Sequence, residues 1–176
     1  CAGHKGLFGI QGSAFAIIND PELFDTLTEG GSGVDSFSQF MPELLPERYE
    51  AGTLATPAIV SLGSDVKYIQ NIGIDEIEKH ILQMTSTLKD ALESIRSVRV
   101  LGVENGIASF NVGNYSSSHV AKMLDNEGIA TRSGFHCAPL IHQKLGTNEI
   151  GAIRVSLSYF NNKKEIYSLY KALKKI

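Results

Sequence analysis

The chain has 176 residues, enough for one domain or one and a half and for a real hydrophobic core without metal or disulfide staples. At 43% hydrophobic and 20% charged residues it is an ordinary globular composition, which excludes a disordered or collagen-like polymer. Sixteen Lys and Arg against nineteen Asp and Glu leave a net charge of −3, which argues against nucleic acid or an anionic membrane as the main partner.

The first segment, Gly6–Asn19, is glycine-rich and then apolar at Phe15, Ala16, Ile17 and Ile18, and reads as a loop entering a buried strand. From Glu29 to Arg48 there is little helical period; Gly30–Gly33, Pro42 and Pro46 mark a long irregular stretch of the kind that is more often functional than accidental. A helix follows, with Thr56 as its cap, Pro57 in its first turn, and Ile59, Val60, Leu62, Val66 and Ile69 as its apolar stripe. Gly73 breaks it from the next. Residues 74–96 carry Ile74, Ile77, Ile81, Met84, Leu88, Leu92 and Ile95 at helical spacing, with Asp75 and Glu76 in the first turn.

Val98–Leu101 and Ile107–Val112 read as two strands around a Gly-Val-Glu-Asn-Gly turn region. Ser116 caps a short helix with Val120, Ala121 and Leu124 inward, ended by Gly128. Ile129–Thr131 and Ala152–Leu157 are further strands, and Asn161 or Asn162 starts a last helix with Ile166, Leu169, Tyr170 and Leu173 on one face. Residues 72–176 thus form a self-contained α+β unit, whereas residues 1–56 cannot bury a core alone and read as the tail of a larger domain. Neither charge-free apolar run, Gly6–Asn19 or Ala51–Ser64, reaches the roughly 20 residues of a spanning helix. The opening residues have no basic stretch or cleavage pattern of a signal peptide, and the two cysteines, Cys1 and Cys137, make no disulfide framework. A reducing, cytoplasmic setting is expected.

Several residues could carry chemistry. Lys5 lies among small residues, and a lysine in a partly desolvated pocket forms Schiff bases, although local sequence alone favours a solvated loop lysine. Cys137 is bracketed by Gly134 and Pro139, so it is expected on a loop, with His136 and Arg132 near enough to stabilise a thiolate. The plain alternative is an idle thiol acting as a small hydrophobe. Arg154 shares a strand face with Ala152 and Ser156 and is placed either to fork onto a carboxylate or to meet a surface partner. Thr53 follows a glycine near a helix start, which suits a phosphate or a simple cap.

Other classes fail on specific residues. A cysteine-dependent phosphatase needs an arginine where Gln143 stands. Cys137, His136 and His142 lack a fourth ligand for zinc, so no metal site is expected. Gly30–Gly33 is not followed by Gly-Lys-Ser/Thr, so no phosphate-binding P-loop is present.

Four segments in order carry a resemblance: Gly-His-Lys-Gly-Leu-Phe-Gly at 3–9, Arg-Tyr-Glu-Ala-Gly-Thr at 48–53, Arg-Ser-Gly-Phe-His-Cys-Ala-Pro at 132–139 and Arg-Val-Ser at 154–156. Together they resemble the class V aminotransferase family of fold-type I enzymes, in its cysteine desulfurase and selenocysteine lyase branch. The resemblance implies an α/β to α+β fold: residues 1–71 as the C-terminal end of a large pyridoxal-phosphate-binding domain with a connecting helix, and residues 72–176 as a small α+β sandwich domain. It implies pyridoxal 5′-phosphate as cofactor, held by Lys5, with His4 seating the phosphate and Thr53 reaching the phosphate of a neighbouring subunit, hence a homodimer. Arg154 matches the arginine that grips the substrate carboxylate, and Cys137 the thiolate that takes sulfur from L-cysteine as a persulfide while alanine leaves. Arg132 and His136 match positions lining that loop, on the substrate side. A sulfur-acceptor protein is a further implied partner.

The sequence departs from the family at two places: Ala2 stands where a hydroxyl residue is common, and Phe135 where a second histidine is common. The family's pyridine-nitrogen aspartate and ring-stacking histidine lie upstream of the lysine, so the chain is expected to be the C-terminal part of a longer enzyme. Within the family, selenocysteine lyase, sulfinate desulfinase and transaminating relatives are the alternatives, with Cys137 favouring sulfur transfer. Outside it, the alternative is a non-catalytic domain in which these motifs are relics.

Overall fold

The computed structural model describes residues 1–176, which divide into two units, Cys1–Gly73 and Ile74–Ile176.

The first unit holds one long helix, α1 (Thr56–Ile72), and otherwise loops and short 3-10 turns. The strand expected at Phe15–Ile18 is not formed. An isolated bridge joins Ala2 to Ala14, and Ile17 is left 85% exposed. Phe15 exchanges backbone hydrogen bonds with Cys1, but the pairing stops there and the rest of the apolar run stays out of any strand. In α1 the N-cap is Ala55, not Thr56, whose hydroxyl donates to the Leu54 carbonyl at 3.4 Å. Its buried face is Ala58 and Leu62, whereas Ile59 and Val60, expected inside, are exposed.

The second unit is an α+β sandwich. Helix α2 (Ile74–Glu93) precedes a hairpin of β1 (Val98–Glu104) and β2 (Ile107–Val112). Then come α3 (Ser117–Asn126), β3 (Arg132–Gly134), α4 (Pro139–Leu145), β4 (Ala152–Ser156) and α5 (Lys163–Leu173). The four strands make one antiparallel sheet in the order β1-β2-β4-β3. The hairpin turns on Asn105 and Gly106, both at positive φ (46° and 81°), the backbone that a two-residue connection with the strands' own twist requires. β1 therefore runs three residues beyond the expected Leu101, and Leu101 itself is the extra residue of a bulge between Val100 and Gly102.

Helix ends follow local chemistry. The Ser116 hydroxyl accepts from the His119 N–H at the start of α3. Asn162 and Glu165 form a reciprocal capping box on α5. The strand expected at Ile129–Thr131 forms instead at Arg132–Gly134, because the pairing partner on β4 begins at Ala152 opposite Gly134. No periodicity in the sequence marks helix α4, whose seven residues are too few to show one.

Alternation along the strands sorts the sheet into two faces. Ala108, Phe110, Val112 and Ile153 meet Met84, Leu88 and Leu92 of α2, Val120 and Leu124 of α3, and Ile166, Leu169 and Leu173 of α5. Residues of the opposite parity, Ser109, Asn111, Ala152 and Arg154, take the other face. The start of β4 depends on Gly151, at φ +66°; a Cβ there would lie 2.6 Å from Ser117 Oγ and 3.0 Å from the Gly134 carbonyl oxygen. Gly151→Ala should therefore lower stability by at least the roughly 1–2 kcal/mol of a left-handed non-glycine residue. A urea midpoint that falls with an unchanged slope would register it; an unchanged midpoint would show that the junction relaxes freely.

Candidate active site

In the first unit, Lys5 sits on a tight loop built by glycines. The Gly3 N–H donates to the Ser13 carbonyl and the Gly9 N–H to the Gly3 carbonyl, both at 2.9 Å, while the Phe8 N–H closes a turn on the Lys5 carbonyl at 3.0 Å. A Cβ on Gly3 would run into Ser13 Oγ, so the chain crosses itself here only because residue 3 has no side chain. The loop presents His4 and Lys5 outward, both exposed, and the Lys5 amine has no hydrogen bond or ion pair within the chain. Thr53 is also exposed, after Gly52 at φ +83° and three residues ahead of α1; the Gly52 N–H is tied to the Gly31 carbonyl at 2.9 Å. The long irregular segment thus ends by bracing the approach to Thr53.

In the second unit the outer sheet face brings four of the expected residues together. Arg132 on β3 lies directly opposite Arg154 on β4, which lies opposite Ser109 on β2, which lies opposite Gly102 on β1. Two arginines side by side repel one another, and neither has a carboxylate partner within the chain. A turn from Phe135 to Ala138, closed by the Ala138 N–H on the Phe135 carbonyl at 2.9 Å, places His136 and Cys137 beside this rung. Both central residues have positive φ (52° and 60°), a conformation that costs a non-glycine residue and survives only where neighbours enforce it. Cys137 is a free, exposed thiol.

The neighbours that enforce the turn are identifiable. His136 Nε2–H donates to the Ala152 carbonyl at 3.0 Å, which fixes its tautomer and leaves Nδ1 with a lone pair. Phe135 packs edge-on to His142, ring centroids 5.3 Å apart. His142 is buried and shares a 2.7 Å hydrogen bond between Nδ1 and the fully buried Thr147 hydroxyl. This histidine, unassigned beyond a discarded zinc site, is the post on which turn and helix α4 rest. Its position five residues before the paired Thr147, inside a Pro-started helix, carries no sequence signal of burial.

A cavity of about 680 Å³ opens between the hairpin and α4, lined by Leu101, Ile107, Ile141 and Leu145 and floored by His136 and Arg154. Arg154 Nε and His136 Nδ1 are both buried without a hydrogen-bond partner. Burial holds the His136 imidazole below the ordinary value of 6.5; the Ala152 bond opposes this, and the positive charge of Arg154 and Arg132, with a smaller contribution from the neighbouring His142, adds to it. The ring is therefore neutral at pH 7. No group of three or more His, Cys, Asp or Glu is arranged to hold a metal ion.

Comparison with known proteins identifies the family and the fold. The family model described as "Aminotransferase class-V" matches residues 1–169, and the chain belongs to that family. Among curated relatives, a probable cysteine desulfurase of Methanothermobacter thermautotrophicus is 36% identical over 99% of this chain and 46% of its own length. A cysteine desulfurase of Shigella flexneri is 34% identical over 99% of this chain and 44% of its own. An apo cysteine desulfurase structure from Thermococcus onnurineus NA1 superposes with a TM-score of 0.79 at 28% identity, covering 99% of this chain and 45% of that one. The S-sulfonic acid form of a cysteine desulfurase from Escherichia coli has the same fold, with a TM-score of 0.84 at 24% identity, covering 99% of this chain and 44% of that one. The chain thus spans just under half the length of the relatives it matches. No helix is long and apolar enough to cross a membrane.

The depressed His136 sets a pH dependence. The unfolded chain takes up a proton near 6.5 and the folded chain only at lower pH, so stability is complete above 6.5 and declines as pH falls toward the native value. Urea midpoints between pH 7.5 and 5 should fall more steeply for the wild type than for His136→Asn; parallel curves would contradict the assignment.

Proposed function

We propose that this chain is the C-terminal portion of a pyridoxal-phosphate-dependent cysteine desulfurase, which moves sulfur from L-cysteine to Cys137 and releases L-alanine. The observation that carries the reading is the juxtaposition of an exposed thiol on an enforced turn with a bare pair of arginines on one sheet face. An ordinary transaminase needs the arginine but not the thiol.

The donor set of the first unit fits the cofactor, which is a phosphorylated aldehyde. A primary amine free of ion pairs, an adjacent imidazole and a hydroxyl after a positive-φ glycine are the groups that such a molecule takes. Lys5 would hold the aldehyde carbon, His4 would seat the phosphate, and Thr53 would reach the phosphate held by a second copy of the chain, so the enzyme is a homodimer. When bound, pyridoxal phosphate supplies an electron sink that weakens the substrate's bonds at Cα.

The chain's own residues do the rest. Arg154 orients the substrate by its carboxylate, aided by the field of Arg132, since a guanidinium fork matches a carboxylate in shape and charge. Lys5 Nζ moves the Cα proton. Cys137 accepts the sulfur: L-cysteine and the Cys137 thiol become L-alanine and a Cys137 persulfide, so atoms balance without an external oxidant. The exposed turn then offers that persulfide to a sulfur-acceptor protein. A carrier thiol of this kind needs a reducing, cytoplasmic setting.

Two measurements test the reading. Borohydride reduction of the chain with pyridoxal 5′-phosphate should label Lys5 stoichiometrically and spare the other lysines; scattered labelling would contradict the selection of Lys5. In the enzyme containing this chain, Cys137→Ser should abolish persulfide and cut alanine release from cysteine by about a hundredfold or more, the scale of losing a reacting group. Unchanged output would remove Cys137 from the reaction.

A further inference from the structure

The cavity floor of the second unit holds two polar atoms that are buried and unpartnered, Nδ1 of His136 and Nε of Arg154. They are opposite in sense. With Nε2–H committed to the Ala152 carbonyl, Nδ1 can only accept, whereas an arginine Nε–H can only donate. Buried polar groups are seldom left unpaired in native proteins, and two complementary orphans beside one cavity point to a pairing made in another state of the site. Both residues are held to β4: Arg154 is part of it, and His136 is tied to it through Ala152, two residues earlier. Among charged groups, Arg154 weighs most on the imidazole, followed by Arg132 on β3 and His142 on α4; Glu104 on β1 also borders the cavity.

We propose that His136 is a positioning residue for Arg154: when a carboxylate is held in the cavity, the Arg154 Nε–H donates to His136 Nδ1, and the two terminal guanidinium nitrogens are left to face the ligand. This rests on the reading of Arg154 as the carboxylate-binding residue and adds what aims it. A lone arginine on a flexible stem samples many orientations, and anchoring its Nε selects one before the fork closes. The neutral ring is essential to the device. A protonated His136 would turn a donor toward a donor and set a further charge against Arg154 and Arg132.

The test reads the hydrogen bond rather than turnover. In the full 15N-labelled chain, the Arg154 Nε–H resonance is assigned by its loss in Arg154→Lys and followed with L-alanine as the carboxylate probe. With L-alanine at pH 7.5, this proton should shift downfield and exchange with water roughly tenfold more slowly, the scale of one hydrogen bond. The effect should vanish as the pH falls through the titration of His136. His136→Asn sets an amide oxygen near the place of Nδ1 and tolerates φ +52°, so it should keep the slow exchange and lose the pH dependence. His136→Gln, whose amide reaches toward Nε2 instead, should lose both.

Equal exchange in the wild type and His136→Gln, a pH-independent wild type, or no response of Arg154 to L-alanine would each overturn the pairing. The two readings fail separately. Loss of sulfur transfer to Cys137 with the arginine signal intact would remove the desulfurase reading and leave the pairing standing, and the reverse result would do the opposite.

Discussion

Strand β4 is the constraint on which the second unit depends, because its five residues serve two layers at once. Ile153 is fully buried under the helices, while Arg154, one residue on, faces the opposite side. A slip of one residue would drive the guanidinium into a core of Phe110, Leu88 and Leu124 and push Ile153 into the cavity. Register is therefore held from several directions. The Asn111 side-chain N–H donates to the Gly151 carbonyl at 2.7 Å, and Gly151 adopts a backbone that a side chain would obstruct. The Ser117 N–H meets the Ile150 carbonyl at 2.8 Å, and the Ser117 hydroxyl accepts from the Gly134 N–H at 3.2 Å. The same few groups that bury the core thus aim the arginine.

Seen as electrostatics, the outer face is unfinished as a stability design. Arg132 and Arg154 stand opposite each other across β3 and β4, where like charges oppose strand pairing, and the chain supplies no carboxylate between them. A fold selected for stability alone would place an acid or an apolar residue there. The arrangement makes sense when an anion is part of the site, since a ligand carboxylate relieves the repulsion it finds. Burial above all keeps the nearby imidazole neutral, and the same field adds to it, since a further cation beside two arginines would raise the cost already present.

How much of this was legible in the sequence follows from the range of each interaction. Helices α2, α3 and α5 were readable because their apolar spacing and caps are local: Met84, Leu88 and Leu92 repeat along one face, and Asn162 with Glu165 marks a start within four residues. The inward Ile153 and outward Arg154 were equally readable from alternation. The strand at 132–134 was misplaced because Ile129 is apolar and Arg132 is not, yet pairing with β4 selects the polar segment. In the first unit the apolar run at Phe15–Ile18 looks like a strand, yet its pairing is limited to Phe15 with Cys1 beside the Ala2–Ala14 bridge. Single-chain hydropathy reports that a segment avoids water, but not what it pairs with. His142 was missed for the same reason, since its burial depends on Thr147 and on a turn that only the fold assembles.

The turn carrying Cys137 joins these threads. Two successive non-glycine residues at positive φ are costly, by roughly 1–2 kcal/mol each, and a relaxed loop would not choose them. They persist because Phe135 leans on His142, His136 is bonded to Ala152, and α4 begins immediately after at Pro139. A sulfur carrier faces two different partners in succession, a small amino acid and then a large acceptor. A thiol fixed rigidly inside a cavity would serve the first and be hidden from the second. In the role proposed for Cys137, a strained turn on a sheet whose register is held firmly would let the thiol meet both partners without disturbing Arg154.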